Sequence, residues 1–417
     1  MAARTGSVAT AVAGMGNYAG RIINLLLGAE DSADHPPRLV AVTSSNPDRH
    51  PEMAEQLRSR DIAIEPSFDA LLARDDVEAV WLPVPIDLHL PFSRQVLEAG
   101  KAVLCEKPVA GCVDDCDAMI AERDRHRLPF AVGYQDIWAP STTALKHRIL
   151  AGRLGRIAAV TVHAAWPRDS KYYGRADWSG RLKRNGVWIL DSPVQNAMNH
   201  FINLALFLLG PTPGESAGVR RIEAELYRAR DIENYDTASL RLHLEDGPAC
   251  LVLLTHATGD TVHPTIRIDG DAGTALWHFN GPTTWQEKGG PVEVMAEPTA
   301  DGARAAMVSR FNRLVRGVPD PSRAVATLEV ARAPLVAVNG ASEASPVRTI
   351  PASQLEVLTA ADGATTVTVP GITELLAHCA AEGCLLHESG RADWTGPAGE
   401  CDLTGYRHFA GPFGSAG

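Results

Sequence analysis

The tripeptide Glu106-Lys107-Pro108 places a carboxylate and an ammonium group directly after an apolar run from Ala102 to Cys105. Such a run is typical of a buried strand, and the proline favours an extended conformation at Lys107. Ligands of open α/β sheets bind at the carboxyl ends of the strands, so this lysine is a candidate for stabilising a substrate oxygen that gains negative charge. A surface salt bridge at a turn is the alternative that the tripeptide alone leaves open.

A second polar cluster lies inside a strongly apolar stretch. Ser192 is a suitable N-cap and Pro193 a suitable first residue for a helix there. Asn196, His200 and Asn203 then fall at positions i, i+4 and i+7, which share one face of a helix. A hydrogen-bonded core histidine is the structural alternative. Because two asparagines share its face, we interpret His200 as the acid/base partner of the lysine.

The run from Trp166 to Trp178 mixes aromatic, basic and acidic residues. Aromatic faces pack on the C–H surfaces of sugars, and Arg and Asp hydrogen-bond hydroxyl groups. The run therefore predicts a loop that holds a polyol, the alternative being an irregular connection that covers a sheet. The predicted substrate contacts are Lys107, Tyr134, Arg168, Tyr173, Asp191, Asn196 and His200.

A glycine motif follows the first β-prone run, Ser7 to Ala13. Gly14 would permit a tight turn, and Gly16 would let a pyrophosphate approach the backbone. Ala19 stands where a small residue lets helix and strand pack. A lone motif of this kind is weak evidence, but its position directly after the first strand strengthens the prediction of a dinucleotide site.

The end of the second predicted strand, Arg38 to Thr43, bears on the choice of cofactor. An acidic residue usually binds the ribose hydroxyls of NAD there, whereas this chain has Ser44 and Ser45. Small hydroxyls with Arg49 close behind suit a 2′-phosphate, so NADP is favoured over NAD, unless Arg49 is a solvated helix residue. The predicted cofactor contacts are Gly14, Met15, Gly16, Asn17, Tyr18, Ser44, Ser45, Arg49, Pro83, Pro85, His89, Glu106 and Lys107.

Strand and helix patterns alternate through the first 135 residues, which predicts an α/β domain with a doubly wound parallel sheet. Beyond this point the strands alternate apolar and polar residues, which predicts an α+β domain with a large, mostly antiparallel sheet. We therefore expect a dinucleotide-binding domain over 1–135 and a substrate-binding domain over 136–417. Helices from Ala303 to Arg316 and from Ile372 to Ala381 are expected to cover the antiparallel sheet.

Charge and cysteine usage exclude several classes of protein. The chain has 39 Lys and Arg against 50 Asp and Glu, a formal net charge of -11, which disfavours a nucleic-acid or anionic-membrane partner. Its seven scattered cysteines predict reduced thiols in a cytoplasmic protein. We expect no targeting segment, no membrane-spanning stretch and no metal site, since the histidines and cysteines lack ligand spacing.

Jointly, these motifs resemble the glucose-fructose oxidoreductase, inositol dehydrogenase and rhizopine-catabolism family (Gfo/Idh/MocA). The matching residues are Gly14-x-Gly16-x-x-Ala19, Pro85 with His89, Ala99-Gly100-Lys101, Glu106-Lys107-Pro108, Gly133-Tyr134-Gln135, Gly152-x-x-Gly155-x-Ile157 and His200 before Gly210. The resemblance implies a Rossmann domain, then a domain whose open sheet is often used for oligomerisation, so we expect a homo-oligomer, dimer or tetramer. It also implies that Lys107 binds the reacting oxygen and that His200 is the acid/base group.

The chain departs from the family pattern near the histidine. The family commonly has Asp-x-Gly-x-His, whereas the residue four before His200 is Asn196, and Asp191 stands five residues further upstream. Which of Asp191 and Asn196 faces the substrate is left open. The family's aspartate three residues after the histidine is Asn203, and its asparagine after the fourth-strand proline is Ile86.

The sequence therefore predicts an NAD(P)-dependent oxidoreductase of carbohydrate metabolism. It would transfer a hydride between a nicotinamide cofactor and a secondary alcohol or ketone of a sugar, sugar derivative or cyclitol. Two alternatives remain open. One is an enzyme that cleaves a glycoside by transient oxidation and elimination, and the other is a non-catalytic dinucleotide-binding regulator.

Overall fold

The computed structural model describes residues 6–30, 35–296, 299–320 and 322–414. The chain forms two compact units whose segments alternate along the sequence. The first unit comprises Met1–Ala110, Asp115–Thr143 and Ala300–Ala331, and the second comprises Gly111–Asp114, Ala144–Thr299 and Arg332–Gly417. The sequence predicts a single boundary after residue 135, whereas the chain passes between these units several times.

The first unit contains a parallel sheet. Its strands are β1 (Val8–Val12), β2 (Pro37–Thr43), β3 (Ala63–Glu65), β4 (Ala79–Leu82), β5 (Ala102–Cys105) and β6 (Phe130–Val132). The helices along this stretch are α1 (Asn17–Gly28), α2 (Pro51–Arg58), α3 (Phe68–Leu72), α4 (His89–Glu98) and α5 (Val113–His126). The strand order is β3-β2-β1-β4-β5-β6, and every neighbouring pair is parallel.

Burial explains why this sheet forms. All residues of β1, β4, β5 and β6 are buried, as expected for short apolar strands of a parallel sheet covered on both faces. The strand order changes direction between β1 and β4, which makes the carboxyl edge there the place where such sheets bind ligands. The predicted doubly wound sheet is confirmed.

The second unit contains most of the remaining elements. Along the chain come α6 (Pro140–Leu150), β7 (Ile157–Ala165), α7 (Ser170–Gly174), β8 (Lys183–Arg184), β9 (Val187–Trp188), α8 (Asn199–Leu209), β10 (Val219–Arg228), β11 (Thr237–Leu244), β12 (Ala249–Thr255), β13 (Val262–Gly270), β14 (Gly273–His278), β15 (Thr283–Glu287) and β16 (Val292–Ala296). There follow α9 (Ala300–Val315), α10 (Leu328–Ala344), β17 (Val347–Thr349), β18 (Glu356–Thr359), β19 (Thr365–Thr368), α11 (Ile372–Glu382) and β20 (Gly399–Asp402).

A ten-stranded sheet organises this unit, in the order β16-β15-β14-β13-β7-β12-β11-β10-β17, with β20 also paired to β10. Most neighbours are antiparallel, and β7 with β12 and β10 with β17 are parallel. Alternating strands such as β13 and β14 bury every second residue, which is the pattern of a sheet with one covered face. The predicted large, mostly antiparallel sheet is confirmed.

The two predicted covering helices have different outcomes. Helix α11 lies against β7 and β12 of the large sheet, as predicted. Helix α9 belongs to the first unit instead, where it contacts the 3-10 turn Gln135–Trp138. Its Arg310 donates to the Trp138 carbonyl, and Arg316 pairs with Glu78. Hydrophobic spacing predicts which face of a helix is buried but not which sheet it covers.

None of the helices in the described residues is long and apolar enough to cross a membrane.

Lys146 closes the carboxyl end of α8, the helix that carries His200. Its Nζ is buried and donates to the backbone carbonyls of Phe207, Gly210 and Glu215. Burial lowers the pKa of Lys146 to about 7, but only an ammonium group has three hydrogens for three acceptors. The lysine thus satisfies carbonyls that the end of a helix leaves without intrahelical partners.

Replacing this lysine, Lys146→Met, is expected to lower the free energy of unfolding by about 3 kcal/mol, because buried carbonyls lose their donors. Urea unfolding followed by circular dichroism measures the loss. The control is Lys288→Met, at an exposed lysine of the same unit. An unchanged urea midpoint for Lys146→Met would show that the lysine does not stabilise this helix end.

Candidate functional site

The carboxyl ends of β2, β1, β4, β5 and β6 lie side by side along one edge of the parallel sheet. The residues that follow these strands are Ser44 and Ser45 after β2, Gly14 to Gly16 after β1, Pro83 and Pro85 after β4, Glu106 and Lys107 after β5, and Gly133, Tyr134 and Gln135 after β6. The topology thus brings motifs that are far apart in the sequence to a single edge.

The glycine turn has the conformation that its sequence predicts. Gly14 has a φ of +113°, in the region that favours glycine, and its N–H donates to Thr43 Oγ1 at 2.7 Å. A Cβ on Gly16 would lie 2.2 Å from Nε2 of His50. Gly16 therefore also makes room for an imidazole that the sequence analysis did not include.

The other predicted contacts of this turn differ in exposure. Met15 is buried, and Tyr18, in the first turn of α1, is 36% exposed. Asn17 is the first residue of α1, whose N-terminus points its free backbone N–H groups toward the glycine turn.

A cleft beside the end of β2 contains the predicted serines. It is lined by Ser44, Ser45, Pro47, Arg58, Ile62, Ile64 and Pro66. Arg58, the last residue of α2, is a basic residue of this cleft that the sequence analysis missed, because only folding brings it to the serines. Arg49 lies in the adjoining 3-10 turn and is exposed. Two hydroxyls and a guanidinium are suitable ligands for a phosphate group.

Glu106 is built firmly into the end of β5. Its Oε1 accepts from Trp81 Nε1 at 3.1 Å and its Oε2 from the backbone N of Lys107 at 3.4 Å. A Cβ on Gly133 would lie 2.8 Å from Oε2, so this glycine leaves space for the carboxylate. Burial raises the pKa of Glu106, and the charge of Lys107 opposes that rise. Lys107 is half-buried, and its peptide bond to Pro108 is cis.

His89 connects the segments that follow β4 and β5. Its Nε2 lies 2.9 Å from the Val84 carbonyl and its Nδ1 3.0 Å from the Pro108 carbonyl. The ring is 1% exposed, and burial lowers its pKa. These contacts support a role in holding the segment around Lys107, and direct contact with a cofactor remains a prediction. Tyr134, a predicted substrate contact, is also buried.

Arg304 of α9 adds a basic group to the first unit. Burial raises the pKa of Asp136 to about 6, and the guanidinium of Arg304 opposes that rise. The charge of Arg304 also lowers the pKa of Glu106, although burial and the charge of Lys107 have larger effects on that pKa. Hydrophobic spacing in the sequence placed α9 on the antiparallel sheet of the other domain, so this arginine was not among the predicted contacts.

In the second unit, a π-helical turn interrupts the helix predicted around His200. The turn spans Pro193–Ala197, and Ser192 Oγ accepts from the Gln195 N–H at 3.1 Å, which confirms the predicted N-cap. Because α8 begins only at Asn199, Asn196 does not share one continuous α-helical face with His200, and that prediction is wrong. The wider turn breaks the 3.6-residue spacing on which it rested.

The structure separates the two asparagines by burial. Asn203 is fully buried, whereas Asn196 and His200 are half-buried. Asn196 Nδ2 donates to Asp191 Oδ1 at 2.7 Å, and the Gly180 N–H donates to Asp191 Oδ2 at 2.6 Å. Asp191, which is 3% exposed, therefore orients the amide of Asn196, which is the more exposed of the pair.

The aromatic and basic run forms a stacked cluster. Asp169 caps α7 by accepting from the Tyr172 N–H at 2.8 Å. The guanidinium carbons of Arg168 and Arg175 lie 4.6 and 3.6 Å from the centroid of the Tyr172 ring. This ring therefore binds guanidinium groups, and the binding of a polyol by the run remains a prediction. Neither Tyr172 nor Arg175 is among the individually predicted contacts of this run.

Tyr173, the predicted contact in this run, lies beside a further arginine. The guanidinium carbon of Arg230 is 5.1 Å from its ring centroid. Trp166 packs edge-on against Phe201 with ring centroids 5.6 Å apart. Since Phe201 follows His200 on α8, the stacked cluster and the histidine belong to one packed region of the second unit.

Two family models match the chain. One, described as "Oxidoreductase family, NAD-binding Rossmann fold", covers residues 8–134. The other, the "GFO/IDH/MocA C-terminal domain", covers residues 142–276. Together they span more than half of the chain.

Several curated relatives are similar over parts of their length. The chain is 25% identical to inositol 2-dehydrogenase of Rhizobium meliloti, over 59% of this chain and 70% of the relative. It is 34% identical to a dTDP-3,4-didehydro-2,6-dideoxy-alpha-D-glucose 3-reductase of Streptomyces violaceoruber, over 27% of this chain and 34% of the reductase. It is 31% identical to 2,7-anhydro-N-acetylneuraminate hydratase of Mediterraneibacter gnavus, over 50% of this chain and 51% of the hydratase. The matches thus span less than two thirds of the reductase and of the hydratase.

Solved structures share the fold. The WlbA dehydrogenase from Bordetella pertussis, in complex with NADH and UDP-GlcNAcA, has a TM-score of 0.65 and 23% identity, over 80% of this chain and 94% of that protein. An inositol dehydrogenase homologue from Azotobacter vinelandii, complexed with NADH and myo-inositol, has a TM-score of 0.64 and 18% identity, over 80% and 94%. At these identities the likeness concerns the fold.

Proposed function

The chain belongs to the Gfo/Idh/MocA family of NAD-binding oxidoreductases, and we propose that it transfers a hydride between a nicotinamide cofactor and a secondary alcohol or ketone of a sugar, sugar derivative or cyclitol. The carboxyl edge of the parallel sheet carries this proposal, because the glycine turn, the Ser44 and Ser45 cleft and Lys107 lie there on neighbouring strands. The names of the inositol and deoxysugar relatives support the substrate class.

The residues of this edge fit a dinucleotide. Gly14 turns the chain with a positive φ, and Gly16 is the N-cap of α1, where backbone N–H groups bind a pyrophosphate. Ser44, Ser45 and Arg58 would hold the ribose and its 2′-phosphate. When bound, the nicotinamide supplies the hydride donor or acceptor.

Two side chains would handle the substrate oxygen and its proton. Lys107, as an ammonium group, donates a hydrogen bond to the reacting oxygen and stabilises its alkoxide character. His200 accepts the hydroxyl proton during oxidation and returns it during reduction. Asn196, held by Asp191, would orient a neighbouring hydroxyl.

A screen of sugars, inositols and their keto derivatives with NADP⁺, NADPH, NAD⁺ and NADH tests the proposal by absorbance at 340 nm. Turnover of a compound from this class by the wild type supports the proposal, and cofactor binding without any turnover contradicts it. The homo-oligomer and the cytoplasmic location remain predictions.

Ser44→Asp is expected to reverse the cofactor preference. A carboxylate at this position repels the 2′-phosphate of NADPH and accepts hydrogen bonds from the free ribose hydroxyls of NADH. We expect the ratio of the NADPH and NADH dissociation constants to change by at least about tenfold. Titration followed by nicotinamide fluorescence measures both constants.

Two further variants sharpen this test. Arg58→Gln should weaken NADPH binding and leave NADH binding unchanged, since Arg58 would contact only the phosphate. Gln286→Glu adds one negative charge at an exposed position of the second unit and serves as the control. An unchanged ratio in Ser44→Asp would mean that the cleft does not bind the adenosine ribose.

A further inference from the structure

We infer that the substrate carries an anionic group, a carboxylate or a phosphoryl group, and that the guanidinium of Arg168 binds it. The inference rests on the proposed function and narrows its substrate class from neutral sugars and cyclitols to acidic ones. Arg168 lies in the second unit, in the cluster around Tyr172.

Arg168 has a guanidinium that retains hydrogen-bonding capacity, although its side chain also hydrogen-bonds Tyr172. Its Nη1 donates to the Pro167 carbonyl at 3.1 Å. Its Nε is buried and has no hydrogen-bond partner among the described residues. Within the described part of the chain, no carboxylate lies within 4.0 Å of this guanidinium, the limit for a salt bridge. A cation in this situation has a strong preference for an anionic partner.

The guanidinium is nevertheless held in place. Its central carbon lies 4.6 Å from the centroid of the Tyr172 ring and 5.5 Å from that of Trp166. The backbone carbonyl of Arg168 accepts from Nη2 of Arg230 at 2.8 Å. The two rings hold the side chain, and the bond from Arg230 holds its backbone, before any ligand arrives, which reduces the ordering cost of binding.

Arg168 also borders open space. With Trp166, Pro167 and Thr261 it lines a cleft on the second unit. A planar guanidinium can donate two parallel hydrogen bonds to a carboxylate or a phosphate, a geometry that a sugar hydroxyl does not match. The cleft therefore combines access with a preorganised donor for an anion.

The neighbouring arginines are more fully engaged. Arg175 donates to the Tyr172 carbonyl at 2.6 Å and has Asp191 Oδ1 at 3.9 Å. Arg230 donates to the carbonyls of Arg168 and Thr365. The Nε of Arg230, like that of Arg168, is buried without a hydrogen-bond partner among the described residues. Of these three arginines, Arg168 is the one named in the lining of the cleft, and the other two add positive charge around it.

The pKa of His256 is sensitive to the positive charge of this cluster. Its Nδ1 lies 2.9 Å from the Trp166 carbonyl, and its ring centroid is 5.9 Å from that of Tyr172. Burial lowers the pKa of His256 to about 3, and the guanidiniums of Arg168, Arg175 and Arg230 add to the effect. An anion bound at Arg168 would relieve this excess of positive charge.

Aromatic contacts connect the proposed anion site to the helix that carries His200. The Trp166 ring contacts both the Arg168 guanidinium and Phe201, the residue after His200. A substrate bound through its acidic group at Arg168 would thus lie in the same region of the second unit as the proposed proton acceptor.

Calorimetry on the NADP⁺-saturated full chain tests the inference with matched pairs of probes. D-glucuronate, D-galacturonate and D-mannuronate are compared with D-glucose, D-galactose and D-mannose, and the 6-phosphates of the same three sugars form a second arm. We expect at least one acid to bind tenfold or more tightly than its neutral parent. Tighter binding of a uronate would identify a carboxylate as the bound group, and tighter binding of a 6-phosphate would identify a phosphoryl group.

Variants assign the preference to the residue. Arg168→Gln should abolish it and Arg168→Lys should keep part of it, because the lysine retains the charge but not the planar fork. Arg267→Gln removes an exposed guanidinium of β13 that pairs with Asp269, and should change nothing. Equal binding of acids and neutral parents, binding of no acid, or a preference that survives in Arg168→Gln would overturn the inference.

Cofactor affinity is measured on the same samples by nicotinamide fluorescence. A wild type that binds NADPH but shows no preference for acids contradicts this inference alone. A wild type that binds neither NADPH nor NADH contradicts the proposed function. The far-ultraviolet circular dichroism spectrum and the urea midpoint of Arg168→Gln, compared with those of the wild type, show whether the second unit of the variant is folded.

Discussion

Lys107→Met is expected to lower turnover by about 100- to 1,000-fold, the typical cost of removing one donor to a developing oxyanion. Methionine keeps the length and the apolar stem of the lysine but donates no hydrogen bond. The substrate oxygen would then build up negative charge without its partner. Single-turnover rates, measured with saturating cofactor, report this step directly.

Cofactor binding separates this effect from a general disturbance of the site. Glu106 is held by Trp81 and by the backbone of Lys107, and both contacts survive the substitution. NADPH affinity is therefore expected to change by less than about threefold, a difference below 1 kcal/mol. The control is Lys183→Met, at a lysine that stacks on Trp188. Wild-type turnover in Lys107→Met would show that the lysine does not stabilise the reacting oxygen.

His200→Asn is expected to lower turnover by about 100- to 10,000-fold, the range for loss of a general acid or base. Asparagine can still hydrogen-bond the substrate hydroxyl, but it cannot take up the proton that leaves during oxidation. The rate of the variant should therefore rise with pH, as hydroxide from the solvent replaces the missing base. The measurement is the pH profile of kcat/KM in the direction of oxidation.

A matched control uses another helical histidine of the second unit. His378, on α11, is half-buried as His200 is, and His378→Asn should retain the wild-type rate and pH profile. If His200→Asn kept the wild-type profile, a different group would have to carry the proton. A loss of cofactor affinity equal to the loss of rate would point to misfolding instead.

The parallel sheet was predictable because its signals are local. Short buried strands alternate with helices. The strand ends carry residue types that are typical of ligand sites, such as Gly14 and Lys107. Parallel strands place all their carboxyl ends at one edge. The sequence therefore indicated the cofactor edge without any knowledge of the strand order.

Long-range packing could not be predicted in the same way. Three basic residues, Arg58, His50 and Arg304, reach the carboxyl edge through long-range packing that no short motif encodes. The burial of one face of α9 was correctly expected, but the sheet it covers was not. Hydrophobic periodicity identifies a buried face and contains no information about its partner.

Around His200 the sequence failed for a local reason. A π-helical turn adds one residue per turn and displaces Asn196 from the expected face. The stacking of Arg168 and Arg175 on Tyr172 was missed because the run was treated as a surface for sugars. The sequence shows Arg168 four residues before Tyr172 and Arg175 three residues after it. Only the fold shows that both guanidiniums lie on this one ring.

Transfer of deuterium from the cofactor to a substrate would show the proposed hydride transfer itself. NADPH deuterated at the 4R or the 4S position is mixed with the wild type and a pool of keto sugars, keto acids of sugars and inosose derivatives, and the products are analysed by mass spectrometry. We expect one deuterium on a carbinol carbon, from one of the two labelled cofactors, and a rate of transfer at least about 100-fold lower with Lys107→Met. Tight NADPH binding without transfer to any compound would contradict the proposed hydride transfer and favour a non-catalytic dinucleotide-binding protein.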